Sequence, residues 1–394
     1  MKKVYYLCAV LSAILLASCS NSNVTNEGPH ALQQLTLTLS GGPISRSAIT
    51  TTPVQGDEAK IHRVTIGIFG TDGKVKSIQT KDQANASTPL SGAVNFTVNN
   101  FVAIGDEVLV VCNAPTANAF AGVKTDGDFF KAATYDIVNT CNGDAVSGTV
   151  PATPDVQLTT SLPMFGKGAI ASDNAGGFKA DVTVNHSVAK VFIGDIKVAF
   201  DANGAYANAT FTPEEVFLLN APQTAYYNCD TNSSTFVTSP VFLTGENAPA
   251  SNGLTTAAYI GTGATAISAT PLAGTASFTA NSYFYTNPNT STTPTKLIIK
   301  GSFKADKNDT GTNPQTCYYP VIINHAQTGT TSGGSTFTPD VADSYVLAGK
   351  DYQISVTIKS IGNNDPNKDI TPASLAVTLT VSDFTPVTQN VVFN

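Results

Sequence analysis

"PASLAVTLTVSDFTPVTQNVVFN", residues 372–394, alternates apolar and small polar side chains with a period of two. Leu375, Val377, Leu379 and Val381 fall on one face, with Ala376, Thr378 and Thr380 on the other. After a break at residues 383–386, Val387, Gln389, Val391 and Phe393 form a second alternating set. Successive side chains of a strand point to opposite faces, so this spacing predicts two strands, the first with one apolar face.

The same period recurs upstream. Tyr352, Ile354, Val356 and Ile358 alternate with Gln353, Ser355 and Thr357. Leu35, Leu37 and Leu39 alternate with Thr36, Thr38 and Ser40, and Val64, Ile66 and Ile68 with Thr65 and Gly67 before a "TDGK" turn. "DEVLVVC" (106–112) is a continuous apolar run suited to a strand covered on both faces. "FKADVTVNHSVAKVFIGDIKVAF" (178–200), "TKLIIKGSF" (295–303) and "CYYPVIIN" (317–324) add further strands. Helical periods are few, and "ANAFAGVKT" (117–125) is the best candidate for one short helix. Many strands joined by Gly, Pro and Asn turns predict an all-β chain of antiparallel β-sandwiches with few short helices.

Composition agrees. The chain has 394 residues, 12% of them charged, and a net charge of -7, which argues against nucleic acid as a partner. Apolar residues make up 42%, enough for a sizeable core. The length suggests two domains. A division near residue 190 gives 47–190 and 191–394. Six cysteines are present; Cys112, Cys141, Cys229 and Cys317 remain after the leader region, and their pairing is open between disulfides and buried thiols.

Motifs for chemistry are sparse. The histidines at 30, 62, 186 and 325 have no metal-ligand spacing, and no nucleophile elbow or phosphate-binding loop occurs. Asp309, Thr310 and Gly311 match an aspartic-protease triplet but sit among polar turn residues. "TDGD" (125–128) and "NNDPNKD" (363–369) could offer oxygens to a calcium ion but read better as turns. The expectation is a non-enzyme with no cofactor and no metal.

The N-terminal region predicts export. Lys2 and Lys3 precede a short apolar core at residues 7–16, then Leu16, Ala17, Ser18 and Cys19. This describes a secretory leader, 1–18, too short for a comfortable membrane span. Its ending resembles a bacterial lipobox, which makes Cys19 the lipidation site. Residues 19–46 then form a propeptide, a polar tether followed by the alternating strand of Leu35, Leu37 and Leu39. Arg46 lies in the flexible segment "GGPISRS", and Arg63 is the only other arginine. Cleavage between Arg46 and Ser47 would free the strand before it. Arg63 opens the strand "RVTIGIF", where structure would hinder a protease.

Taken together, these features resemble the Bacteroidales fimbrillin family, the type V pilins, particularly the major shaft subunits. The resemblance rests on the lipobox at Cys19, on "GGPISR", on "HRVTIGIFG", on "LPMFG" (162–166) and on "NHSVAKVFIGDIKV". It rests most on the tail sequences "CYYPVIIN" and "YVLAGKDYQISVTIKSIGNNDP" and the last two strands. Phe384 and Phe393 stand where family members often carry Trp. The resemblance implies two tandem Greek-key, transthyretin-like domains and an outer-membrane lipoprotein precursor. It implies an arginine-specific surface protease acting at Arg46 and polymerisation by donor-strand exchange. The donor, within 372–394, would be Leu375, Val377, Leu379, Val381, Val387, Val391 and Phe393. The removable strand would carry Leu35, Leu37 and Leu39. Partners would be identical or related subunits, the protease, and host or bacterial receptors; the product would be a surface fimbrium for adhesion and biofilm. The alternatives are an anchor or tip subunit of the same fimbria, or a secreted glycan-binding β-sandwich.

Overall fold

The computed structural model describes residues 33–41, 58, 60–82, 94–98, 101–114, 118–129, 131–132, 134–136, 162–227, 241–244, 270–311, 313–326, 331–332, 335–339, 342–370 and 374–383. The first unit is one sheet. Its strands are β1 (Gln33–Gly41), β2 (Arg63–Phe69), β3 (Val75–Asp82), β4 (Val94–Val98), β5 (Glu107–Cys112), β7 (Met164–Ala169), β8 (Ala171–Ser172) and β9 (Phe178–His186). The order is β3-β2-β5-β7-β9-β1-β4, with β8 on β9. The sheet curls until its two outer strands face each other. The Gln79 amide on β3 donates to the Thr97 carbonyl on β4 at 2.8 Å, and Lys81 donates to the Asn95 carbonyl. The two layers of this sandwich therefore belong to a single hydrogen-bonded sheet.

Its interior is filled by the alternating residues. Leu35, Leu37, Val64, Ile66, Ile68, Phe96, Val108, Val110, Met164, Val182 and Val184 are fully buried together. β2 is buried along its whole length because it has cover on both faces. Gly67 shows why a small residue stands there: a Cβ would lie 2.6 Å from the Phe69 ring and 2.9 Å from that of Phe129. Phe129 ends α1 (Asp126–Phe129), the one helix among the described elements. The helix thus lies just after the expected segment 117–125. Thr125 caps it, its hydroxyl accepting from the Asp128 amide at 3.2 Å, and this polar cap outweighs the weak apolar spacing before it.

The second unit is a two-sheet sandwich. One sheet is ordered β15-β10-β20-β21-β18-β19, from β10 (Ala189–Val198), β15 (Ser277–Thr286), β18 (Thr331–Ser332), β19 (Ser335–Thr336), β20 (Lys350–Ile358) and β21 (Leu375–Asp383). The other is ordered β13-β11-β16-β17, from β11 (Thr210–Pro222), β13 (Phe242–Thr244), β16 (Lys296–Lys304) and β17 (Gln315–Ile322), with β14 (Leu272–Ala273) on β11. Val191, Ile193, Tyr352, Ile354, Val216, Leu218, Leu297 and Tyr319 meet between them. Most pairings are antiparallel. β1 with β9, β10 with β20 and β18 with β21 are parallel.

Sheet membership changes between His186 and Ala189, where β9 passes into β10. A small cross-connection ties the units, since β6 (Thr134–Asp136) pairs with β12 (Thr224–Tyr226). The Ser187 hydroxyl also donates to the Tyr227 carbonyl at 2.7 Å.

Candidate functional site

β1 lies between two neighbours. It runs parallel to β9 from Leu35↔Phe178 to Gly41↔Val184, and antiparallel to β4 from Gln33↔Val98 to Leu37↔Val94. Leu35 and Leu37 are fully buried and Leu39 nearly so, against Phe96, Val98, Val182 and Val184. The other face is polar: the Thr36 hydroxyl reaches the Asn95 side chain at 3.2 Å. Within the described sheet, β1 is the only strand that β4 pairs with. Taking β1 away would leave an apolar slot with an unpaired strand edge on each side, a template for another chain.

β21 pairs with β20 at nine positions, from Lys350↔Asp383 to Ile358↔Leu375. On its other side, it meets β18 only at Thr331↔Thr378. Leu375, Val377 and Leu379 are buried in the core of their own unit, and Val381 is partly buried. In this structure, then, the first half of the expected donor segment is housed within its own chain.

β1 and β21 are near copies. Residues 35–40 read LTLTLS and residues 377–382 read VTLTVS. Leu37 matches Leu379, and Thr36, Thr38 and Ser40 match Thr378, Thr380 and Ser382. Only Leu35 and Leu39 become Val377 and Val381. Both strands are nine residues long, and this alignment superimposes them end to end, Gln33 on Leu375 and Gly41 on Asp383. Each alternation was legible separately. Aligning the two against each other is the signal that reading them separately missed.

The chain between β1 and β2 is pinned where the two units join. Glu58 is buried, and its Oε1 accepts from Lys190 Nζ and from the Tyr285 hydroxyl, each at 2.6 Å. Burial raises the Glu58 pKa, and Lys190 opposes that rise. The Lys190 ammonium lies 5.0 Å from the centre of the Tyr283 ring. The Glu58 carbonyl accepts from His186 Nε2 at 2.9 Å, and burial holds the His186 pKa down at about 4. The imidazole is therefore neutral near pH 7, so the shared proton is on Nε2.

Arg63 is held just as firmly. It is 5% exposed; its Nε lies 2.5 Å from Asp82, and its Nη1 donates to the Ala114 carbonyl at 2.6 Å. A protease needs an accessible segment with a free backbone, and this arginine is buried at the start of a paired strand.

Cys19, Arg46, Ser47, Val387, Val391 and Phe393 lie outside the described residues, as do Cys141 and Cys229. Cys112 and Cys317 are free and buried. Burial pushes the Cys112 thiol up to about 12, which makes it a poor nucleophile. The loop at 363–369 is occupied by a protein cation: Lys296 Nζ donates to the Asn367 carbonyl at 3.0 Å and meets Asp369 at 2.7 Å. Asp309 caps an exposed turn, accepting from the Gly311 amide at 2.8 Å. Among the described residues, no group of His, Cys, Asp and Glu could hold a metal, and no helix is long and apolar enough to cross a membrane.

The geometry defines a class: a tandem β-sandwich protein with two strands of closely matching sequence, one in each unit. Residues 34–193 match the family model described as major fimbrial subunit protein (FimA). A fimbrilin (fimA) of Porphyromonas gingivalis W83 has a similar structure, with a TM-score of 0.56 and 17% identity over 92% of this chain and 99% of that one. A candidate cell adhesion protein of Bacteroides eggerthii DSM 20697 also has a TM-score of 0.56, at 22% identity over 91% of this chain and 98% of that one. A second candidate cell adhesion protein, from Parabacteroides distasonis ATCC 8503, has a TM-score of 0.59 at 13% identity over 90% and 98%. No match is found among curated proteins. The first unit is thus similar in sequence to a fimbrial subunit family, and the chain as a whole shares the fold of these solved structures.

Proposed function

We propose that this chain is a polymerising structural subunit of surface fimbriae. It is exported as an outer-membrane lipoprotein lipidated on Cys19 and cut between Arg46 and Ser47 by an arginine-specific protease. β1 then leaves, and the tail of the next subunit, residues 372–394, takes its place. Repetition of this contact is heterologous and does not close, so it builds an open filament. In this reading, residues 47–190 and 191–394 are the two domains of the mature subunit. The filament serves adhesion between cells and surfaces.

The observation that carries this reading is the match of residues 35–40 to 377–382, over strands of equal length. A slot shaped for Leu35, Leu37 and Leu39 suits Val377, Leu379 and Val381 with two fewer methylenes. At about 0.8 kcal/mol each, this segment of the tail binds about 1.6 kcal/mol less well than β1. An attached β1 also competes at the high effective concentration of its own chain. The uncut precursor therefore stays monomeric. Cleavage removes the attachment, and the extra apolar set Val387, Val391 and Phe393 adds contacts that β1 lacks. The burial of Arg63 supports cleavage at Arg46 alone.

The test is the mature N-terminus. Mass spectrometry of filament subunits should find Ser47 first, and Arg46→Ala should accumulate as an uncut monomer. Filaments built from the Arg46→Ala protein at the wild-type level would overturn the proposal.

A further inference from the structure

Strand direction decides which ends of two subunits meet. The Gln33 end of β1 lies beside Val98 of β4. The start of β9 at Phe178, paired with Ser172, is at the same end of the sheet, as is Glu107↔Ala169. The loop from residue 101 to Asp106 closes this end: Gly105 N donates to the Ile170 carbonyl at 2.8 Å, and Ile170 N donates to the Asp106 carbonyl at 2.9 Å. That loop exposes Phe101 at 46% and Ile104 at 65%, two of the three exposed large apolar side chains among the described residues. The opposite end, with Gly41↔Val184 and Met164↔His186, faces the junction at Glu58 and Lys190.

The root of the tail is equally defined. β20 ends at Ile358 opposite Leu375 and beside Val198 of β10, at the end of the second unit away from Lys190↔Asp351. The Ser374 carbonyl accepts from the Lys359 amide at 2.8 Å, and the Ser374 and Ser360 hydroxyls are 2.7 Å apart. With these bonds kept, there is no slack before Leu375, and each further residue reaches at most about 3.6 Å.

We propose that Phe101 and Ile104 form the seat on which the next copy of this chain docks, through the end of its second domain around residues 359–370. This inference rests on the donor-strand reading above. A tail laid in the slot in the direction of β1 puts Leu375 at the position of Gln33, beside the loop of Phe101 and Ile104. Its short root then brings the donor domain onto that loop. Ile361 and Ile370, partly buried at the root, supply the apolar partners. The seat also explains two large apolar side chains kept in water at one loop tip, since an exposed apolar cluster marks a contact surface. A tail laid in the opposite direction would bring the root to the domain junction instead.

The test uses the full-length precursor cut by an arginine-specific protease, with the double variant Phe101→Asp, Ile104→Asp and a labelled peptide of residues 372–394. The variant should be cut and should bind the peptide like wild type, while its rate of polymerisation falls at least tenfold. Polymerisation at the wild-type rate would overturn the seat and leave the donor strand standing. Peptide binding lost in the variant would make these residues part of the slot, which also overturns the seat. Failure of the wild-type protein to bind the peptide would remove the donor-strand reading on which the seat depends. As a second measurement, Ile104→Cys with Ile361→Cys should crosslink between copies in filaments, and crosslinks absent or confined to one chain would refute the contact.

Discussion

β1 and β21 carry almost the same side chains but stand differently in their sheets. β1 has a ladder on each side, seven register positions with β9 and five with β4. β21 has nine positions with β20 and a single one with β18. Withdrawing β21 breaks one ladder, whereas withdrawing β1 breaks two and opens a slot. Leu35 and Leu37 are completely buried, and Leu379 is 1% exposed, so neither strand is loosely held by its apolar face. The difference lies in the backbone neighbours. A nearly one-sided strand is the better donor, and a two-sided position is the better acceptor, because it offers the incoming strand two ladders for the one it gives up. In the proposed assembly, cleavage alone would not eject β1. It would end the covalent advantage of β1, after which a dilute fragment would compete with an incoming tail.

The largest effect expected from this asymmetry is all or none. Deleting residues 372–394 should leave a subunit that is still cut at Arg46 and still binds a tail, because its own slot is intact. It should end filaments and never extend them. Cleavage should be checked first by the mass of the product and polymer length then by electron microscopy. Long filaments of the truncated protein would show that β21 is only a structural strand.

A smaller and more discriminating effect separates the two central leucines. Leu37→Ala should destabilise the uncut precursor by about 2–5 kcal/mol, as for other buried leucine truncations. It should leave the assembled filament unchanged, because the substituted strand is gone. Leu379→Ala should cost a similar amount in the precursor and should also weaken the filament. Denaturant midpoints of precursor and filament read both. A filament weakened by Leu37→Ala would mean that β1 is retained in it.

Several strands were legible because they bury one face and solvate the other, which writes period two into the chain. The Leu35, Leu37, Leu39 set and the Tyr352–Ile358 set are clear examples. Which strand lies beside which was not legible. Nothing local in residues 33–41 announces a parallel neighbour at 178–186, since register depends on the whole interior. The junction was invisible for the same reason. Glu58 finds Lys190 across 132 positions and Tyr285 across 227, and each residue taken alone looks like a solvated polar group. The burial of Arg63 was partly anticipated from the strand it opens. Its partners, Asp82 and Ala114, come from separate segments. The short helix was misplaced by a few residues because Thr125 and the two first-turn acids, Asp126 and Asp128, set its start.

The smallest predicted effect is the sharpest test of equivalence. Leu35→Val with Leu39→Val turns residues 35–40 into VTLTVS, the sequence of residues 377–382. Two buried methylenes are lost, worth about 1.6 kcal/mol at about 0.8 each, with a further penalty for whatever space fails to close. The precursor should lose about that much stability. Once cut, it should exchange β1 for the tail faster, because the leaving strand no longer packs better than its replacement over these six residues. Filament stability should not change, since the altered strand is absent from it. The measurement is the rate at which a labelled 372–394 peptide enters the cut double variant, compared with the cut wild type. A faster exchange with an unchanged filament supports one shared slot. An unchanged exchange rate, with the precursor clearly destabilised, would mean that loss of β1 does not limit the exchange and that the tail does not compete for the place held by Leu35 and Leu39.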